Sequence, residues 1–66
     1  MSYRLFTRTW WAENAQWPGG LEPCAGRRHY KGYAQSEQEA IAFCRDWNRE
    51  HPAGRLSRKC EFEEAS

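Results

Sequence analysis

Tyr3-Arg4-Leu5-Phe6-Thr7-Arg8-Thr9-Trp10-Trp11 decides how the rest of the chain is read. The stretch is rich in aromatic and β-branched residues and holds neither glycine nor proline, which suits a strand with neighbours on both sides. Alternation gives it two unlike faces. Tyr3, Leu5, Thr7, Thr9 and Trp11 carry no charge and fit a core, whereas Arg4, Phe6, Arg8 and Trp10 alternate cation with ring. The second face is the main functional clue, and no catalytic signature accompanies it.

Outward from this strand, residues 12–26 hold Pro18, Gly19, Gly20, Pro23 and Gly26, which break both helical and strand periodicity. They read as a long Ω-like loop, with Trp17 and Leu21 expected to tuck against the body. Residues 27–35 resume an extended pattern, with Tyr30, Gly32 and Ala34 on one side and His29, Lys31 and Tyr33 on the other. Ser36-Glu37-Gln38-Glu39 matches a capping box, and a helix over about 37–51 follows, closed by Pro52 and Gly54. Its apolar stripe is Ala40, Ile41, Phe43, Cys44 and Trp47. A third strand is expected over 55–63, with Leu56, Cys60 and Phe62 opposed by Ser57, Lys59, Glu61 and Glu63. Arg58 interrupts the apolar face and is expected to run its stem along the sheet.

The element order is therefore β-β-α-β, an α+β fold. A helical crossover makes the second and third strands parallel to each other, and the simplest sheet inserts the first between them, antiparallel to both. This predicts a three-stranded antiparallel sheet of order 2-1-3 with the helix on one face. Arg4, Phe6, Arg8, Trp10, His29, Lys31, Tyr33, Ser57, Lys59 and Glu61 then belong to the open face.

The chain has 66 residues, enough for one small domain that buries only about 60% of the surface its unfolded form exposes. Four Trp, three Tyr and three Phe must supply most of that burial. Ten basic and nine acidic residues nearly cancel, so distribution matters more than total charge. Arg27, Arg28, Arg49 and Arg55 gather at one pole, near the helix C-terminus. Glu37, Glu39, Glu61, Glu63 and Glu64 gather at the other, partly as macrodipole compensation.

Three cysteines cannot form a closed disulfide set, and no charged start followed by an apolar stretch marks a signal peptide. A cytoplasmic, reducing compartment is expected, and no apolar run reaches the roughly 20 residues that a membrane-spanning helix needs. Cys24, His29, His51 and Cys60 lack the paired short spacings of a zinc site, so neither metal nor cofactor is expected. A Cys-His nucleophile would need an enclosed site with an oxyanion hole, which a three-stranded sheet and one helix leave little room to build. Cys44 and Cys60 read as small core residues, and Cys24 as the exposed thiol.

The candidate binding residues are Arg4, Phe6, Arg8, Trp10, Lys31, Tyr33 and Lys59, with Arg27, Arg28, Arg49 and Arg55 as a secondary basic pole. Rings beside cations suit a protein partner, since Trp, Tyr and Arg dominate interface hot spots. They also suit single-stranded nucleic acid, where bases stack on rings and cations follow the phosphates. Self-association through the same face is a further reading. The remaining one is a cross-strand ladder in which arginines merely cover rings.

Thr7-Arg8-Thr9-Trp10-Trp11, Trp17-Pro18-Gly19-Gly20-Leu21-Glu22-Pro23 and Gly54-Arg55-Leu56-Ser57-Arg58-Lys59 give the chain a resemblance over nearly its whole length. It resembles short proteins carried by bacteriophages and prophages. That resemblance transfers no site residues and implies a context: small phage-carried proteins are often inhibitors of a host complex, anti-CRISPR proteins among them. A host protein complex is accordingly the expected partner.

Overall fold

A computed structural model describes residues 2–65. The elements are β1 (Ser2–Arg8), β2 (Trp11–Glu13), a single 3-10 turn (Pro18–Gly20), β3 (Leu21–Pro23), β4 (His29–Ala34), α1 (Glu37–Glu50) and β5 (Lys59–Ala65). β1 pairs antiparallel with β4 on one side and β5 on the other, so the main sheet has the order β4-β1-β5 with one helix. That is the α+β arrangement expected from the pattern of the chain.

The helix lies over the uncharged face of β1. Leu5, Ala34, Ala40, Cys44 and Cys60 form the buried cluster, with Tyr3, Trp47 and Phe62 packed at its margin. Tyr3 and Phe62 meet edge to face with ring centroids 6.0 Å apart. Thr7 is buried on the same side, and its hydroxyl lies 3.5 Å from Nη1 of Arg58. Arg58 thus extends along the helix side of the sheet.

α1 begins where its capping box requires. The Ser36 hydroxyl accepts the Glu39 N–H at 3.2 Å, and the Glu39 carboxylate accepts from the backbone N–H of Gln35, one residue before the cap. At the other end, the His51 N–H donates to the Trp47 carbonyl at 2.9 Å and the His51 ring stacks on Trp47 at 4.2 Å. Only part of the expected stripe is covered. Ala40 and Cys44 are buried, whereas Ile41 stays 46% exposed and Phe43 also faces outward, because a three-stranded sheet is narrower than the stripe.

Three differences from the sequence reading change the architecture, beyond shifts of one or two residues at the ends of β4, α1 and β5. The first strand stops at Arg8 as a sheet element, and Trp11–Glu13 instead starts a hairpin with Leu21–Pro23. Residues 12–26 are therefore not an Ω-like loop: the chain folds back through Asn14, whose carbonyl accepts from Trp17 N–H and whose N–H donates to Gly20. Gly19 and Gly20 turn the corner at φ 81° and 79°, which glycine adopts without a Cβ penalty. Trp17 sits at the tip with 46% of its surface exposed, so it does not pin the segment.

The third difference lies before β5. Residues 54–57 form a turn and the strand does not begin until Lys59, because Arg58 N–H bonds back to Ala53 and Ser57 adopts φ 56°. The strand starts at Lys59, and Ser57 leaves the open face. The turn still supports the sheet, since the Leu56 carbonyl accepts from both Trp10 and Trp11 N–H at 3.0 and 3.2 Å. On the opposite side, Cys24 N–H bonds to Trp10 and Gly26 N–H to Thr9 at 3.0 and 2.7 Å. Gly26 is needed for that crossing, as a Cβ there would lie 2.4 Å from the Thr9 hydroxyl.

Candidate binding surface

The open face of the sheet is built in transverse rows set by register. Tyr33, Arg4 and Glu63 form one row across β4, β1 and β5; Tyr30, Phe6 and Glu61 form the next; Arg8 and Lys59 form the third. Facing partners in such rows sit close enough for direct side-chain contact.

A bulge decides which residues of β4 join these rows. Leu5 pairs with Gly32 and Phe6 with Tyr30, so Lys31 is an extra residue without a partner on β1. Gly32 carries φ 141°, open to glycine and strained for other residues. This corrects the side assignment of β4: Tyr30 comes to the open face, and His29 pairs with Thr7 on the helix side. Lys31 is exposed but lies in the bulge and takes no place in the rows. A glycine inside a strand pattern is the signal that marks such a bulge.

The central ring is not available for contact. Phe6 is only 2% exposed because two guanidinium groups cover it, that of Arg28 at 4.5 Å and that of Arg8 at 5.5 Å from the ring centroid. Tyr30 leans on its remaining side, with centroids 6.0 Å apart. The expectation of Phe6 as an outward anchor is therefore corrected. In a sheet with one helix, the second face has no layer above it, and long cation stems take the place of that layer.

The arginines are themselves held. Arg8 makes a two-pronged contact with Glu61, from Nε to Oε2 at 2.9 Å and from Nη2 to Oε1 at 3.1 Å. Trp10 donates its indole N–H to the same carboxylate at 3.1 Å while the Arg8 guanidinium lies 4.1 Å over the Trp10 ring. Glu63 plays the same part in the first row, accepting from Arg28 Nη1 at 2.6 Å. That contact, with a smaller contribution from Tyr30, raises the Arg28 guanidinium pKa further above its ordinary value. Arg4 Nε approaches Glu63 at 3.3 Å, too poorly aligned for a hydrogen bond, so its buried N–H has a Coulombic neighbour only.

The secondary pole is dispersed in the same way. Arg28 has moved over Phe6 to reach Glu63, Arg49 pairs with Asp46 at 3.1 Å, and Arg55 pairs with Glu13 of the hairpin at 2.6 Å. Arg27 remains exposed. Opposite charges brought together by folding thus replace the expected basic cluster.

What the face does present is a tyrosine pair. Tyr33 is 68% exposed and Tyr30 57%, both on the outer strand β4. Arg4, Glu61 and Glu63 lie beside them half-buried, and Lys59 stands exposed at the far corner. Sequence reading put Glu61 on the open face, and Glu63 on the same side of its strand, without a role in binding; it missed Tyr30 and Arg28 as members of this array, since their places depend on the bulge and on cross-strand pairing. Among the described residues no helix is long and apolar enough to cross a membrane. Comparison of the chain with models of known families, with characterised proteins and with solved structures gives no match.

Proposed function

We propose that this chain is a small non-catalytic protein-binding module that engages a host protein complex from the open face of its sheet. Tyr30 and Tyr33 are the contact rings, Arg4 and Lys59 flank them, and Arg8, Phe6 and Trp10 form the rigid floor. The observation that carries this reading is the exposure of two large rings on one strand, beside arginines already oriented by carboxylates. Tyrosine and arginine contribute most at interfaces when a partner removes them from water, and pre-orientation lowers the entropy lost on contact. The resemblance to phage-carried proteins supports a bacterial host cytoplasm as the setting and inhibition of a host complex, an anti-defence role included, as the outcome.

Single-stranded nucleic acid is the weaker partner. Glu61 and Glu63 line the β5 side of the face, where they already engage Arg8 and Arg28 and would meet phosphates with like charge, and the ring best placed centrally, Phe6, is already covered. The test compares affinity capture from a bacterial lysate by wild type and by a Tyr30→Ala/Tyr33→Ala variant whose circular dichroism is unchanged. Loss of a discrete protein complex with the variant supports the reading, and an identical captured set removes it. Oligonucleotide binding at low salt that weakens with a log-log slope of about 0.7 per phosphate contact would favour nucleic acid instead.

A further inference from the structure

Cys44 on α1 and Cys60 on β5 are both buried, both free, and have their sulfurs 3.3 Å apart in the centre of the core. They lie 16 residues apart in sequence, on the helix and on an outer strand of the sheet. A second set of contacts fixes their separation. Asn48, one helical turn beyond Cys44, accepts the Cys60 N–H at 2.8 Å and donates to the Cys60 carbonyl at 3.3 Å. The backbone carrying one sulfur is thereby tied to the helix carrying the other.

We propose that these two thiols are a redox modification site, closing under hydrogen peroxide into a disulfide that staples α1 to β5. A disulfide bond is about 2.0 Å long, so the sulfurs need approach by only slightly more than 1 Å. In the first step, one thiol sulfur attacks the peroxide, the O–O bond breaks, and a sulfenic acid and one water form. In the second, the other thiol attacks that sulfur, the S–S bond forms, and the hydroxyl leaves as a second water. Each sulfur gives up one electron to the peroxide, and both thiol protons end in water. Burial raises both thiol pKa values, so both groups stay protonated at neutral pH and the pair reacts slowly, through transient opening of the helix. Cys24 is exposed, lies outside the pair, and is the thiol that any small oxidant meets first.

The test uses the full chain as a Cys24→Ser variant, treated with hydrogen peroxide and analysed by intact mass, non-reducing electrophoresis and thermal melting. The expected product is a monomer lighter by about 2 Da, with neither thiol alkylated after denaturation, restored by dithiothreitol. Its melting temperature should rise by roughly 10 °C or more, as closing a loop of this length in a small domain implies. A further Cys60→Ala exchange must abolish the mass loss. Disulfide-linked dimers, stepwise gain of oxygen without the mass loss, or a cross-linked monomer that melts lower would each overturn the proposal.

Discussion

Asn48 brackets Cys60 from across the sheet edge, its Oδ1 accepting the Cys60 N–H at 2.8 Å and its Nδ2 donating to the Cys60 carbonyl at 3.3 Å. β5 is an outer strand, and an outer strand leaves backbone groups unpaired unless something covers them. One side chain from the helix satisfies both groups. Asn48→Ala should cost about 1 to 3 kcal/mol, since partly buried donor and acceptor both lose their partner. Chemical denaturation measures it, and Asn48→Asp, which keeps the acceptor alone, should fall between variant and wild type. A cost of Asn48→Ala under a few tenths would mean that water replaces the bracket.

Arg8, Glu61 and Trp10 form one unit, so their contributions should not add. A double-mutant cycle with Arg8→Ala and Glu61→Ala is expected to give a coupling of about 1 to 2 kcal/mol, above the usual value for exposed pairs because both prongs of the guanidinium are used. Arg8→Lys should lose most of this, because an ammonium lacks the fork and stacks less well on Trp10. Near-zero coupling would show that the ring contacts alone hold Arg8 in place. Removing Arg8 also uncovers Phe6 and Trp10, which a red shift in tryptophan emission would report.

Gly26 passes so close to Thr9 that no side chain fits between them. Gly26→Ala should destabilise by about 1 to 3 kcal/mol, the range for overpacking a fitted contact. Adding Thr9→Ala should recover only part of the loss, because the Thr9 carbonyl would still lie 3.3 Å from the new Cβ. Full recovery would place all of the conflict in the hydroxyl.

Alkaline pH should destabilise the native core. Burial, assisted by Cys60, pushes the Cys44 thiol up to about 12, while an unfolded cysteine ionises near 8.5. Between those values the native state holds a proton that the unfolded state has lost, so stability is complete below about pH 8.5 and declines as pH rises toward 12. The Cys60 thiol is raised in the same direction by burial, opposed first by its hydrogen bond with Cys44 and then by Lys31, with Glu61 adding to the rise. Each thiol can contribute a slope of up to about 1.4 kcal/mol per pH unit. Denaturant midpoints at pH 7 to 10 for wild type and Cys44→Ala should converge as pH rises, and parallel curves would contradict the assignment.

Gly32 is the residue that lets the β4 bulge form. Gly32→Ala meets no atom within contact distance, yet it must adopt φ 141°, so a loss of about 1 to 3 kcal/mol is expected from backbone strain alone. Exposure of Tyr30, read by nitration, should change with it. An unchanged stability would mean that the strand can run without the bulge.

The chain alone determined what depends on near neighbours. Alternation from Tyr3 to Arg8, the Ser36 cap and the break at Pro52 specify strand, helix start and helix end through forces acting over a few residues. The helical crossover then specified the strand order. What only the tertiary structure decided is the composition of the open face. One extra residue at Lys31 exchanges the sides of His29 and Tyr30, because side chains alternate with a period of two and a single insertion inverts everything beyond it. Likewise, Arg8 and Glu61 are 53 residues apart, and no local pattern says that they will meet. Once register aligned them, the arginines expected to face a partner closed over Phe6, since covering a large ring removes more apolar surface from water than leaving the cations free. The outward-facing role passed to Tyr30 and Tyr33 because the outer strand has no neighbour to cover them.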